Sequence, residues 1–294
     1  MKNQKLAYFY IGSAVFLWST VASAFKIALR YLSPLELLFI ASVSSAAILF
    51  FALALSGDVK SAFKFDKKSA VVALFAALLN PTAYYIVLFY AYDLLPAQIA
   101  QPLNYTWPIL LVLFSALFLK QKISKISYVS ILISFFGVLI ISASGHFTSE
   151  KISAPGVMLA LLSAVIWAAF WIINMKDKRP AKAKLFQNFL IGSLFVFIIT
   201  FKMHGFGQFP LKGVLAAIYV GFFEMGITYL LFLKALTLSE NAAKVGNLVY
   251  IAPFLSLLFI HIIVGEKIFL TTFIGLSLIV LGIILESSAS AKRT

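Results

Sequence analysis

The sequence contains no cysteine and few charged residues. Without cysteine it can form neither disulfide bonds nor a thiolate metal or redox site. Only 12% of its 294 residues are charged and 62% are hydrophobic, whereas soluble domains have about 25% charged and about 45–50% apolar residues. The composition therefore excludes a soluble globular domain and indicates an integral membrane protein.

The sequence also lacks the short alternating segments of an outer-membrane barrel. Its apolar runs are instead about 20 residues long, the length that a helix needs to cross a hydrocarbon core. The first run is expected to be a retained helix, because no small-residue cleavage site precedes a soluble domain. Ten spans are predicted, at residues 6–26, 35–56, 69–91, 97–119, 126–144, 155–175, 185–202, 213–234, 241–263 and 269–287.

Acidic residues are scarce, and the net charge is +14. The 24 basic residues lie in short loops between apolar spans and not on one basic face, so we expect no nucleic-acid binding. Placing the N-terminus in the cytoplasm puts 18 of these 24 residues on the cytoplasmic side. Both termini are therefore predicted to be cytoplasmic.

The pattern of residues 98–122 recurs 145 residues later, at residues 243–267. The matching pairs are Tyr105 with Tyr250, Pro108 with Pro253, Phe114 with Phe259 and Lys122 with Lys267. This repeat predicts two five-helix units, residues 1–148 and 149–294. Because five is odd, the second unit enters the membrane from the opposite side, and the repeats are inverted.

Glu224 is the only acid lying well inside a predicted span, and Asn80 occupies the matching position of the first unit. A carboxyl group at that depth is costly unless it is protonated, paired or facing water. One hypothesis is that Glu224 faces a central cavity, where it meets a substrate ammonium or takes up a proton. The alternative is a neutral carboxyl group that only stabilises helix packing. Glu36 and Asp177, flanked by loops, are expected to be solvated.

Prolines interrupt several spans at positions where a kink exposes polar backbone. The predicted kinks lie at Pro81, Pro102, Pro108 and Pro253. Amide and aromatic side chains near them suit a small amphipathic solute, although aromatic residues at span ends also form interfacial belts. The predicted substrate-binding residues are Trp18, Asn80, Tyr85, Gln101, Asn104, Tyr105, Trp107, Trp167, Glu224, Tyr229, Asn247 and Tyr250. No metal-ligand spacing or catalytic triad is visible, so no metal, cofactor or catalytic residue is expected.

Several short motifs follow one another in a familiar order: LWST (17–20) with Lys26, SPLELLF (33–39), the Pro108 and Pro253 repeat, and VGEK (264–267). In this order and spacing the chain resembles the drug/metabolite transporter superfamily, in its ten-helix EamA-type branch. NYTWP (104–108) and IWAAF (166–170) are similar to segments of bacterial aromatic amino acid exporters. One departure is Gln121, which stands where the second copy has Glu266.

The resemblance implies an inner-membrane transporter that exports small amphipathic metabolites, chiefly amino acids and aromatic ones among them, by alternating access. A small-molecule substrate and the lipid bilayer are the expected partners, and the expected state is a monomer or weak homodimer. Two alternatives stay open: an uptake carrier for a nucleotide-like or S-adenosyl metabolite, and a membrane-embedded lipid-modifying enzyme.

Overall fold

The computed structural model describes residues 2–64, 67–119, 125–144, 151–203, 205–239, 245 and 248–291. All regular secondary structure in these residues is helical. The helices are α1 (Gln4–Leu29), α2 (Pro34–Leu55), α3a (Lys67–Ala77), α3b (Tyr84–Leu94), α4a (Ala97–Asn104), α4b (Trp107–Leu119), α5 (Lys125–Ser142), α6 (Ala154–Lys176), α7 (Ala181–Met203), α8a (Leu211–Phe223), α8b (Ile227–Leu238), α9 (Ala252–Phe259) and α10 (Leu270–Ala291).

These helices form ten apolar segments, as the sequence predicts. Eight of them, counting α3 and α8 each as one, are long and apolar enough to cross a membrane. The other two are α4, which is divided into α4a and α4b, and α9, which lies within the shorter helical segment Leu248–Val264. A short helix, Val59–Ala62, follows α2. The prediction of an all-helical multi-pass membrane protein is confirmed.

The contacts between helices follow the same pattern when the two halves of the molecule are exchanged. α5 packs against α10 and α2 against α7, so each of these helices contacts its own counterpart. α1 packs against α8 and α9, and α6 makes the equivalent contacts with α3 and α4. Because short connections make successive helices alternate in direction, each helix of the first half runs opposite to its counterpart. The predicted inverted repeat therefore describes the packing. The unit boundary predicted between residues 148 and 149 lies outside the described residues.

The α5–α10 contact depends on glycine. A Cβ atom at Gly137 would collide with the carbonyl oxygen of Gly275, and one at Gly282 would collide with Ser134 and the Ser130 carbonyl. Gly137 and Gly282 occupy matching positions of the two repeats. Small residues at these positions let the two backbones approach closely, which is how helices associate in lipid.

Both third helices are interrupted at matching positions. In α3 the break is Leu78–Ala83, where Asn80 has non-helical dihedral angles (φ −142°, ψ 118°) before Pro81. In α8 the break covers residues 224–226 and includes Gly226 (φ −116°, ψ −91°). The sequence predicts the first break through its proline, whereas the second has no proline and was not predicted.

The sequence expectation that Glu36 is solvated is wrong. Glu36 is 7% exposed, and its Oε2 accepts hydrogen bonds from the Ser33 backbone N–H (2.9 Å) and hydroxyl (2.8 Å). Its Oε1 accepts from the Gly207 N–H at 2.7 Å. The carboxylate is buried because it caps the N-terminus of α2 and binds the loop before α8.

The expectation for Asp177 is wrong as well. The Asp177 and Arg179 side chains are 3% and 7% exposed and form an ion pair at 2.7 Å. Arg179 also donates to Gln187 Oε1 (2.6 Å) and Asn188 Oδ1 (3.1 Å) on α7. Gln187 in turn donates to the Ala62 carbonyl at 2.9 Å, so this cluster joins the α6–α7 loop to the segment after α2.

Candidate functional site

A cavity of about 280 Å³ lies between the two halves of the molecule. Its walls come from α1, α3b and α4 of the first half and from α6, α8 and the 3-10 turn Leu248–Ile251 before α9 in the second. Eleven of the eighteen lining residues are aromatic. The lining residues are Trp18, Val21, Phe25, Tyr84, Leu88, Tyr92, Gln101, Asn104, Tyr105, Trp107, Leu111, Trp167, Trp171, Glu224, Tyr229, Phe232, Val249 and Tyr250.

Two helices contribute lining residues by helical periodicity. Along α1, the side chains of Trp18, Val21 and Phe25 lie three and four residues apart. The face of α3b consists of Tyr84, Leu88 and Tyr92, each four residues from the next. Residues at these spacings share one face of an α-helix, so each helix presents a continuous apolar and aromatic strip.

The break in α4 brings polar side chains to the cavity. Gln101 and Asn104 lie in the last turn of α4a, Tyr105 in the break, and Trp107 begins α4b. Asn104 accepts a hydrogen bond from the Tyr84 hydroxyl at Oδ1 (3.2 Å) and donates from Nδ2 to the Ser163 hydroxyl (2.9 Å). Asn104 therefore links α4a to α3b and α6.

Trp167 on α6 lies at the centre of the aromatic wall. Its ring stacks on Tyr84 with centroids 4.5 Å apart, and its edge contacts Trp171 at 6.1 Å. Trp107 stacks on Trp171 at 6.2 Å, and Trp18 packs edge-on against Tyr229 at 5.9 Å. The chain has four tryptophans, and all of them line this cavity.

Glu224 is the only acidic side chain among the described lining residues. It lies at the α8 break, is half-buried, and accepts a hydrogen bond at Oε1 from the Tyr85 hydroxyl (3.1 Å). Tyr85 is fully buried and does not line the cavity. The helix break thus places the Glu224 carboxyl group in the wall of the aromatic cavity, and the hydrogen bond from Tyr85 holds its Oε1.

Two buried polar atoms in the cavity wall have no hydrogen-bond partner within the described part of the chain. They are Gln101 Oε1 and Trp171 Nε1, one acceptor and one donor. Buried polar groups normally have partners, so these two atoms are exceptions to that rule.

The structure brings nine of the twelve predicted substrate-binding residues together in this lining. They are Trp18, Gln101, Asn104, Tyr105, Trp107, Trp167, Glu224, Tyr229 and Tyr250. Tyr85 lies behind Glu224, and Asn80 is buried outside the lining, 2% exposed, with Oδ1 lacking a partner among the described residues. Asn247 lies outside the described residues.

The predicted kinks differ from one another. Pro81 lies in the α3 break, and its ring packs close to Gly192 of α7. Pro108 and Pro253 occupy the first turns of α4b and α9, where a missing N–H costs no hydrogen bond. Pro102 lies inside α4a, which ends two residues later at Asn104.

Nine lining residues are absent from the predicted substrate-binding set: Val21, Phe25, Tyr84, Leu88, Tyr92, Leu111, Trp171, Phe232 and Val249. All of them are aliphatic or aromatic, and only Tyr84, Tyr92 and Trp171 carry a polar group. The helical spacing from Trp18 could have identified Val21 and Phe25 on α1. Among the described residues, no three or more His, Asp or Glu side chains are grouped so as to hold a metal ion.

A second, polar pocket of about 600 Å³ lies where α1, the α3–α4 loop and the α9–α10 loop meet. Lys26 lines it and donates to the carbonyls of Tyr92 (2.8 Å) and Leu95 (3.0 Å). Glu266 accepts from the N–H groups of Ala97 (2.8 Å) and Gln98 (3.1 Å) at the start of α4a. The Glu266 contacts join the two halves at one end of the molecule.

Comparison with known proteins gives consistent matches. The model of the EamA-like transporter family matches residues 5–143 and 154–288. A Bacillus subtilis protein named uncharacterized transporter YvbV is 29% identical over 232 residues, 77% of this chain and 75% of that protein. An Archaeoglobus fulgidus protein named uncharacterized transporter is 26% identical over 278 residues, 93% of this chain and 95% of that protein. A solved crystal structure has a TM-score of 0.68 and 21% identity over 96% of this chain and 98% of that one, a likeness of fold.

Proposed function

Because the chain belongs to the EamA-like transporter family, we propose that it exports small amphipathic metabolites that carry an amino group. Amino acids, aromatic ones among them, are the first candidates. The single observation that carries this proposal is the aromatic cavity of about 280 Å³, which both halves of the molecule line and which contains Glu224. Its volume is just below the range of roughly 300–1,000 Å³ for drug-sized ligands.

The proposed mechanism is alternating access. Inverted repeats that pack by two-fold exchange can adopt two mirror-related arrangements, with the cavity open to one side of the membrane in each. The interruptions in α3 and α8 lie at matching positions and give each half a bend near the solute. Glu224 would pair with the solute's ammonium group, and in an antiport cycle it would carry a proton when the solute is absent.

The remaining assignments follow from the loop charges and the site. We place the protein in the bacterial inner membrane with both termini in the cytoplasm, as a monomer or weak homodimer with no nucleic-acid partner. We assign it no enzymatic activity. The alternative of nucleotide-like uptake is disfavoured, because the described lining residues include no lysine or arginine to pair with a phosphate.

The test is counterflow in liposomes containing the purified protein. We expect preloaded amino acids or amines to drive uptake of the labelled compound above that of empty liposomes. A pH gradient should change the rate if Glu224 carries a proton, and Glu224→Gln should abolish that effect. Uptake no greater than in empty liposomes across amino acids, amines and nucleosides would contradict the proposal.

A further inference from the structure

The ionisable groups of the cavity are of one chemical kind. Among its described lining residues Glu224 is the one carboxylic acid, and none is lysine, arginine or histidine. Lys26 directly follows Phe25, the last lining residue of α1. Its Nζ is bound to the carbonyls of Tyr92 and Leu95, and it lines the other pocket. A carboxylate on a solute would therefore meet another carboxyl group and no described cation.

The donors in the wall are neutral. The Tyr84 hydroxyl is committed to Asn104 and the Asn104 amide to Ser163, and the hydroxyls of Tyr92, Tyr105, Tyr229 and Tyr250 also lie in the lining. A buried carboxylate is normally paired with a cation. An ammonium group needs an acceptor instead, and the cavity offers the Glu224 carboxyl group.

The aromatic wall adds a third attraction for a cation. Ring faces are electronegative, tryptophan most strongly, and attract an ammonium group within about 6 Å of the ring centre. Trp18, Trp107, Trp167 and Trp171 all line the cavity, so a cation there lies among ring faces and beside a carboxylate.

We propose that the solute is a compact organic amine with a net positive charge, an aromatic or other apolar body and no carboxylate. This inference rests on the proposed function and narrows its amino-group solutes to amines, which replace amino acids as the first candidates. Amino acids would then bind more weakly than the amines obtained by removing their carboxylate.

Intrinsic fluorescence offers a direct binding assay, because every tryptophan of the chain lines the cavity. Three probes share one phenyl ring and differ in charge: phenethylamine (cation), phenylalanine (zwitterion) and 3-phenylpropionate (anion). In the purified protein we expect phenethylamine to change the tryptophan emission with a Kd at least about tenfold lower than that of phenylalanine. We expect 3-phenylpropionate to bind more weakly still.

The variant Glu224→Gln tests whether the Glu224 carboxyl group causes this selectivity. Glu224→Gln should raise the Kd of phenethylamine by about tenfold or more and remove most of the difference between the three probes. Asp58→Asn is the matched control, because it also replaces an acid by its amide but at an exposed position far along the chain from the lining residues. It should leave all three affinities unchanged.

The outcomes separate this inference from the proposed function. Phenylalanine or 3-phenylpropionate binding as tightly as phenethylamine in the wild-type protein would overturn the inference and leave the transporter proposal standing. Failure of phenethylamine to bind would also overturn it. If counterflow is absent for every amino acid, amine and nucleoside, the proposed function itself is wrong. The wild-type comparison holds even if Glu224→Gln does not fold.

Discussion

Tyr85, which does not line the cavity, orients the Glu224 carboxyl group. The Tyr85 hydroxyl donates to Glu224 Oε1 at 3.1 Å, while the Tyr85 ring is fully buried. A hydrogen bond to a charged group contributes about 1.5–3 kcal/mol, and its loss frees the carboxyl group to rotate. Under the proposed function, Tyr85 is therefore a positioning residue that would act on the solute through Glu224.

Replacing Tyr85 with phenylalanine tests this role. Tyr85→Phe keeps the ring and removes only the hydroxyl, so we expect the Kd of a bound amine to rise by about tenfold. All four tryptophans remain, and the fluorescence titration measures the change directly. Tyr8→Phe, at a side chain that is 45% exposed, is the matched control and should not alter the Kd. A Tyr85→Phe variant with wild-type affinity would show that Glu224 needs no such support.

Asp177 lies outside the membrane-spanning segments, and its carboxyl group makes the stability of the fold depend on pH. Burial raises the pKa of its carboxyl group, but the hydrogen bonds and charge of Arg179 outweigh this and hold the pKa below its usual range. The folded protein then binds this proton more weakly than the unfolded chain, whose aspartates have a pKa of about 3.9. The ionised group stabilises the fold above that pH, and the contribution is lost as the pH falls through the lowered pKa.

Thermal unfolding in detergent measures this contribution. Asp177→Asn should lower Tm near neutral pH, and its Tm should fall less than that of the wild type when the pH is lowered from about 6 to about 3. Asp58→Asn, at an exposed aspartate, should keep the wild-type dependence. Identical pH profiles for the wild type and Asp177→Asn would contradict the assignment.

Sequence reasoning at the scale of single residues found the unusual groups but not their distant partners. Glu224 and the tryptophans stand out because acids are rare and aromatic residues unusually placed within apolar spans. Glu36 and Asp177 were expected to be solvated, because loop-flanking acids usually are. Their burial depends on Gly207 and on Gln187 and Asn188, whose approach follows from the packing of α2 with α7.

Glycine at the α5–α10 contact offers an element-scale test with an internal control. Gly137→Ala adds a Cβ that collides with the Gly275 backbone, so the two helices must separate, at a cost of about 1–3 kcal/mol. Gly12 on α1 has no atom within 4 Å of the added Cβ. Gly12→Ala should stabilise the protein slightly, because alanine favours helix more than glycine does. Thermal unfolding of the two variants should therefore shift in opposite directions.

Glu266 acts as an N-cap supplied by the other half of the molecule. Its two carboxylate oxygens accept from the first N–H groups of α4a, where Pro96 has no side chain to do so. Glu266→Ala should destabilise the protein by about 0.5–2 kcal/mol, the usual range for losing a capping side chain. Glu266→Gln keeps one acceptor and should lose less. Equal Tm values for all three proteins would show that water replaces the cap.

The elements themselves were largely predictable, whereas their interruptions were only partly so. Long apolar runs leave few alternatives to a membrane helix, and prolines marked the breaks at Pro81 and Pro108. The α8 break at Glu224 and Gly226 has no such marker: its glycine packs against Ile48 of α2. That contact joins residues far apart in the sequence, so no local pattern in α8 predicts it.

At the scale of the whole molecule, the two-fold exchange of contacts determines where the cavity lies. α1 with α8 and α6 with α3 form equivalent pairs, and these four helices contribute most of its walls together with α4. The two halves are related by symmetry, but the first has Asn80 where the second has Glu224. The central cavity therefore receives an acidic side chain from one half only. The side of the membrane that each loop faces then depends on how the halves are inserted.

The insertion can be tested directly, because the chain has no cysteine and any single cysteine reports its own position. Lys178 in the α6–α7 loop and Lys212 at the start of α8a are both exposed, and the loop charges place them on opposite sides. In intact cells a membrane-impermeant maleimide should label Lys212→Cys and should reach Lys178→Cys only after permeabilisation. The reverse pattern would place both termini outside. Labelling of both positions in intact cells would contradict the assignment of one side to each loop, since a helix separates them.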